Sequence, residues 1–233
     1  MVGKISGVIF DLFGTLVPRY PIDRHRKLLA EMASLLNVDA TQFTEVWIRR
    51  LERRITGFCR NAEECILDTL EAMGARVEQE ALTRAAQMRY EFMRSCVVPY
   101  PDVEEGVRTI KAMGYRLGLI SNSSPEVPEL WRSLPLSKYF DVATFSCEVR
   151  TRKPNREIYL MTCDALGLRP EQCLYVGDGS ENELEGAREV GMVPVMIVRD
   201  QPLRDWDGPV VRDLHEVVRL LRTLESNNRS TVL

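Results

Sequence analysis

Val8-Ile9-Phe10-Asp11-Leu12-Phe13-Gly14-Thr15-Leu16 is the stretch on which the reading of this chain turns. Residues 8–10 are β-branched or aromatic, without a polar break, as in a strand buried on both faces of a parallel sheet. The strand ends in Asp11, and Gly14-Thr15 turns the chain. Open parallel sheets bind their ligands at the C-terminal edge of the strands. A carboxylate delivered there is costly to bury unless it has a charge partner or a task.

Four more apolar, β-prone segments follow, at 115–122, 142–146, 172–178 and 193–198. Helix-periodic stretches separate them. One spans 102–113 with an acidic first turn after Pro101, one spans 155–166 after Lys153-Pro154, and one spans 181–190 before Gly191. This alternation predicts an α/β fold, a doubly wound parallel sheet. Residues 19–98 break the pattern. They carry no strand signal and about four amphipathic helices, at 23–36, 41–55, 62–73 and 78–96, with Asp39 and Asn61 as helix starts and Gly74 as a stop. The expected division is a core of 1–18 and 99–233 and an all-helical cap of 19–98. An insert directly after the first strand sits over the strand ends and is a candidate lid.

Composition removes several classes. The 233 residues carry a formal net charge of -3, which gives no reason to expect nucleic acid or an anionic membrane as partner. No apolar run approaches the ~18 residues of a membrane span. Met1-Val2-Gly3-Lys4 leads directly into the first strand, with no room for a signal peptide, so a cytoplasmic protein is expected. The six cysteines are scattered and read as reduced thiols. The two histidines, His25 and His215, have no Ser or Cys beside them that suggests a triad. Arg49, Arg50, Arg53 and Arg54 fall at helical spacing and read as a solvated face. Trp47 and Trp131 read as packing residues. The polar tail 226–233 is expected to fray.

Three later strand ends supply polar groups able to meet Asp11. They are Ser121-Asn122-Ser123, Arg152-Lys153-Pro154, and Gly177-Asp178-Gly179-Ser180. Two carboxylates in one site repel unless a cation lies between them, and oxygen ligands suit Mg²⁺. Cation, lysine and hydroxyl together stabilise a phosphoryl group, which one aspartate attacks as nucleophile.

In this order, these segments resemble the four motifs of the haloacid dehalogenase (HAD) superfamily. Asp11-Leu12-Phe13-Gly14-Thr15 is similar to the first, Ser121 to the second, Lys153-Pro154 to the third, and Gly177-Asp178 with Glu183 to the fourth. The resemblance covers nearly the whole chain and implies a Rossmann-like core with sheet order 5-4-1-2-3 and a helical cap between the first two motifs. It implies that Asp11 is the nucleophile, that Ser121 and the Asn122 backbone N–H hold the transferring group, and that Lys153 neutralises charge and orients Asp11. Mg²⁺ would be held by Asp11, Asp178 and the Phe13 backbone carbonyl. Glu183, where relatives usually carry Asp, would act through water. Arg150 stands where relatives often have Gly. In similar caps a short loop near Thr56-Gly57-Phe58 selects substrate, which makes Gly57 a candidate substrate contact.

Phe13 departs from the family's phosphatases, which usually carry a second Asp there as general acid and base. General acid–base help is worth ~10²–10⁴ in rate, so weak activity on alkyl phosphates is expected. The superfamily's dehalogenases carry an aromatic residue at this place, but are metal-free and usually have Ser-Asn where this chain has Gly177-Asp178. The leading expectation is a Mg²⁺-dependent phosphatase acting on a small phosphorylated metabolite through an aspartyl-phosphate intermediate. The alternatives are a metal-independent 2-haloacid dehalogenase-like hydrolase and a low-turnover protein that binds a phosphorylated ligand or a partner. The chain would be a monomer or homodimer.

Overall fold

The computed structural model describes residues 4–230, with side chains over 4–226; Met1–Gly3 of the signal-peptide reading and the last three residues of the tail lie outside them. Six parallel strands form one sheet: β1 (Gly7–Phe10), β2 (Arg116–Ser121), β3 (Val142–Phe145), β4 (Cys173–Gly177), β5 (Val193–Ile197) and β6 (Val210–Val211). Their order is β3-β2-β1-β4-β5-β6. This is the expected 5-4-1-2-3 order with a sixth strand added at the edge. β1 is central, pairing with β2 on one side and β4 on the other.

Alternation along the strands builds two cores. Val8 and Phe10 of β1, Leu117 and Leu119 of β2, and Leu174 and Val176 of β4 face one side. There they meet α6 (Val103–Ala112) and α11 (Leu214–Ser230) through Val107, Ile110, Val217 and Leu221. Ile9, Ile120 and Tyr175 face the other side, against α9 (Arg156–Leu166) and α10 (Glu183–Glu189). Burial on both faces is why these strands read as unbroken apolar runs.

Between β1 and α6 the chain forms five helices: α1 (Ile22–Leu35), α2 (Ala40–Arg49), α3 (Leu51–Ile55), α4 (Ala62–Met73) and α5 (Gln79–Cys96). Asp39 accepts the Gln42 N–H at 2.7 Å and Asn61 that of Glu64 at 2.9 Å, capping α2 and α4. Gly74 closes α4 in the left-handed region, at φ 67°. The expected single helix over 41–55 is instead two, broken at Arg50. The Tyr100 N–H bonds the Leu16 carbonyl at 3.0 Å, so the chain departs for this insert and returns from it at one point.

Three elements depart from the sequence reading. α7 (Glu126–Ser133) follows β2 and has Pro128 inside it, which hid it from helix periodicity. α8 (Ser146–Val149) is a single turn after β3. The tail is not frayed through its described part: α11 continues to Ser230, anchored upstream by buried Leu214, Val217, Val218 and Leu221. Among the described residues no helix is long and apolar enough to cross a membrane.

Candidate active site

The C-terminal ends of β1, β2 and β4 and the loop before α9 meet at Asp11. The Asp11 N–H bonds the Val176 carbonyl at 2.9 Å, continuing the ladder one residue beyond β1. The carboxylate is 5% exposed. Its Oδ2 accepts the Thr15 hydroxyl at 3.1 Å and its Oδ1 accepts Lys153 Nζ at 2.5 Å.

Lys153 is the hub. Besides Asp11, its Nζ donates to Glu183 Oε2 at 2.5 Å and to the Tyr175 hydroxyl at 3.2 Å. Tyr175 donates to Glu183 Oε2 at 2.8 Å, and the Gly179 N–H donates to Glu183 Oε1 at 3.2 Å. Glu183 therefore touches the lysine directly and is wholly buried at the start of α10. The Lys153 backbone is fixed as well. Asn122 accepts the Lys153 N–H at 2.9 Å and donates to its carbonyl at 3.0 Å. The Asn122 side chain thus ties the loop after β2 to the loop carrying the lysine.

Asp178 lies beside this pair. Its Oδ1 accepts the Ser180 N–H at 3.0 Å, and its Oδ2 accepts Arg19 Nε at 2.9 Å. Gly14 makes the close approach possible. At φ 83° it lies in the left-handed region, and a Cβ there would collide with the Asp178 carboxylate. Ser121 is fully buried at the end of β2, with a hydroxyl that has no partner. An unpaired buried hydroxyl is costly and points to a ligand atom.

Oxygen atoms of Asp11, Asp178 and Glu183 lie within 4.8 Å of one another. Lys153 and Arg19 supply two positive charges against these three negative ones. Burial, and then the charge of Glu183, push the Asp11 carboxyl up to about 8. Burial raises Glu183 too, against the lowering pull of Lys153. Burial works to lower the Lys153 ammonium, but the two carboxylates overcome it and raise its pKa. An oxygen-rich cluster whose crowded carboxyl groups disfavour ionisation of Asp11 fits a small hard divalent cation, which would favour the ionised form.

Asp11, Ser121, Asn122, Lys153, Asp178 and Glu183 therefore share one place, with Phe13 two residues along from Asp11. The Phe13 ring is half-buried and meets Tyr20 edge to face at 6.0 Å. Gly57 packs closely against α8 and the residue that ends it: a Cβ at its φ of 74° would strike the Cys147 carbonyl, with Arg150 next nearest. Arg150 adopts φ 60°, the conformation that Gly favours, and ends α8 in it. The arginine run is not a uniformly solvated face. Arg50 and Arg53 pair with Asp68, at 2.7 and 2.9 Å, and Arg54 is buried. Trp47 and Trp131 are buried packing residues. The six cysteines are free thiols.

Sequence reasoning missed Thr15, Arg19 and Tyr175. Tyr175 had a signal, a hydroxyl in an otherwise apolar strand three residues before Asp178. Arg19 had none, because its partner is 159 residues away.

The family model for haloacid dehalogenase-like hydrolases matches residues 5–191. A glyceraldehyde 3-phosphate phosphatase of Methanopyrus kandleri is 28% identical over 233 residues, covering 93% of this chain and 98% of the relative. A phosphoglycolate phosphatase of Salmonella typhimurium is 33% identical over 202 residues, covering 81% of this chain and 79% of the relative. Among solved structures, a 2-haloacid dehalogenase from Pseudomonas syringae superposes with a TM-score of 0.71 at 23% identity, covering 94% of this chain and 99% of that one. A HAD phosphatase from Thermococcus onnurineus gives 0.67, also at 23%, covering 93% and 98%. At that identity the two structures share the fold.

Proposed function

Because the chain belongs to the haloacid dehalogenase-like hydrolases, we propose that it is a cytoplasmic Mg²⁺-dependent phosphatase of a small phosphorylated metabolite, working through an aspartyl-phosphate. One observation carries this: Lys153 holds Asp11 at 2.5 Å while Asp178 and Glu183 crowd the same carboxylate. A metal-free dehalogenase has no use for that crowding. Relatives named as phosphatases agree with this reading.

Asp11, Asp178 and the Phe13 carbonyl would hold Mg²⁺, which when bound supplies positive charge to the phosphoryl oxygens. Asp11 attacks phosphorus, the ester P–O bond breaks, and the alcohol departs. With no acid at position 13, the leaving oxygen takes its proton from water. Ser121 Oγ and the Asn122 N–H bind phosphoryl oxygens, and Lys153 balances the charge that builds on them. Water then attacks phosphorus, the bond to Asp11 breaks, and phosphate leaves. Glu183 and Tyr175 position Lys153 throughout.

The test is phosphate release from p-nitrophenyl phosphate and acetyl phosphate, with Mg²⁺ or EDTA, for the wild type and Asp11→Asn. Both substrates have good leaving groups, so Phe13 does not mask turnover. Release that requires both Mg²⁺ and Asp11 is expected. Chloride release from 2-chloropropionate without metal, and no phosphate release, would transfer the assignment to carbon–halogen hydrolysis.

A further inference from the structure

A second concentration of charge lies where the helical insert meets the core. Arg54 of α3 is 4% exposed. Its guanidinium sits 4.1 Å over the Trp47 ring and donates to the Trp47 carbonyl at 2.6 Å. Among the described residues no carboxylate forms an ion pair with it. Asp68 of α4 is taken by Arg50 and Arg53, and the carboxylate whose charge acts on Arg54 is Glu126. Burial, then the neighbouring charge of Arg89, lower the Arg54 pKa to about 10, which leaves it a cation at neutral pH.

Arg89 of α5 is also buried, but it is satisfied. It pairs with Glu126 at 3.1 Å and donates to the Ser124 hydroxyl at 3.2 Å and to the Tyr20 hydroxyl at 2.7 Å. Two buried guanidinium groups therefore face one buried carboxylate. His25, edge-on to Tyr20 at 5.2 Å, adds no charge, because burial holds its pKa at about 3. The Trp47 indole N–H, His25 Nε2 and Glu126 Oε2 are buried without partners in the same cluster. Arg54 and Arg89 share the single carboxylate of Glu126, which is ion-paired to Arg89, and a buried cation short of counter-charge costs several kcal/mol. An anion from outside would remove that cost.

The cluster reaches the catalytic end. Tyr20 touches Phe13, and Ser124 lies three residues after Ser121. Tyr20 Oη accepts the Arg89 N–H, so its own hydrogen is free to point elsewhere.

We propose that the Arg54 guanidinium and the Tyr20 O–H receive a carboxylate carried by the same small ester whose phosphoryl group faces Asp11. The substrate class is then a phosphate ester with a carboxylate a short carbon chain away. Phosphoglycolate is of this class. Glyceraldehyde 3-phosphate, whose far end is uncharged, is not. The kinetic form of this inference rests on the phosphatase reading; its binding form does not.

The experiment compares 2-phosphoglycolate with ethyl phosphate. Calorimetric binding is measured on Asp11→Asn, and kcat and KM on the chain with Asp11 intact. Each is repeated with Arg54→Gln, Arg54→Lys and Tyr20→Phe added. The expected result is at least a tenfold preference for 2-phosphoglycolate in both affinity and kcat/KM. Arg54→Gln reduces it to about twofold or less, mainly through KM; Arg54→Lys retains most of it; Tyr20→Phe loses several-fold. Thermal denaturation identifies a variant that fails to fold. Should Arg54→Gln fail, the wild-type preference and Tyr20→Phe decide. No phosphate release from any ester, with the Arg54-dependent binding preference intact, would sink the phosphatase reading and keep the anion site. Equal binding of the two esters, or a preference untouched by Arg54→Gln and Tyr20→Phe, overturns the inference.

Discussion

Arg19 Nε lies 2.9 Å from Asp178 Oδ2, inside the carboxylate cluster proposed to hold the metal. The arginine is anchored at its far side by the Gln201 carbonyl, which Nη1 reaches at 2.9 Å. Asp178 thus has a protein cation as partner, and a divalent ion has to displace it or share it. Arg19→Gln is expected to tighten Mg²⁺ binding by roughly five- to thirtyfold, which corresponds to ~1–2 kcal/mol, since the side chain is 29% exposed and its pull is partly screened. Calorimetric titration with Mg²⁺ reads this directly, and unchanged or weaker affinity would refute it. In EDTA the same variant is expected to melt earlier than the wild type, because Asp178 then lacks a counter-charge.

Lys153 serves two buried carboxylates at once. Removing one member of a buried ion pair costs about 3–5 kcal/mol, because the other charges stay behind without a partner. Lys153→Met is therefore expected to lose stability on that scale in urea denaturation, besides losing turnover. Glu183→Gln is milder: Lys153 keeps Asp11, and the amide oxygen still accepts from Tyr175. Its effect should appear mainly in kcat. Equal stability losses for the two variants would contradict the hub role of the lysine.

Phe13 is half-buried and its ring contact is with Tyr20, so an aspartate there has access to the site. Phe13→Asp supplies the missing acid. Turnover of an alkyl phosphate is expected to rise by roughly 10²-fold relative to p-nitrophenyl phosphate, the lower end of general acid–base contributions. The ratio of the two substrates is the quantity to measure, since it cancels losses common to both. An unchanged ratio would show that protonation of the leaving group is supplied from elsewhere.

His25 is held neutral in the fold, its pKa lowered from 6.5 to about 3 by burial first and then by Arg89 and Arg54. The unfolded chain binds this proton more tightly, so acid favours unfolding. The contribution is intact above pH 6.5 and is lost as pH falls toward 3, with a slope approaching ~1.4 kcal/mol per pH unit. His25→Phe is expected to flatten the dependence of urea stability on pH across that window. A parallel curve for the variant would mean that His25 does not titrate in this way.

The central strands and the polar segments at Asp11, Ser121, Lys153 and Asp178 were legible because each belongs to a local pattern of apolar run, turn residue or helix start. Asp39, Asn61 and Gly74 were legible for the same reason. β6 has only two residues, Val210–Val211, and carries no period at all. α7 was masked by its own Pro128. The arginine run shows the limit most clearly. Its i, i+4 spacing is that of an exposed stripe, but the helix breaks at Arg50, and Arg54 goes inside while Arg53 stays half-exposed. Periodicity assumes one straight helix. Likewise, Arg19 with Asp178 and Arg89 with Glu126 are products of the closed fold, and no local pattern announces them.

The Leu16–Tyr100 bond joins the outgoing and returning ends of the helical insert at the lip of the sheet. Everything between those two residues is, for the sheet, a loop that has already been closed. Closing a longer loop adds only ~0.6 kcal/mol for each doubling of its length. In chain entropy the helical insert is therefore a nearly costless attachment to the sheet, held to the core by contacts such as Arg89–Glu126 at 3.1 Å. It can lengthen, shorten or be exchanged while Asp11 keeps its place between β2 and β4. On the proposed function, such an arrangement would let one hydrolytic core meet new substrates through changes confined to a single appendage.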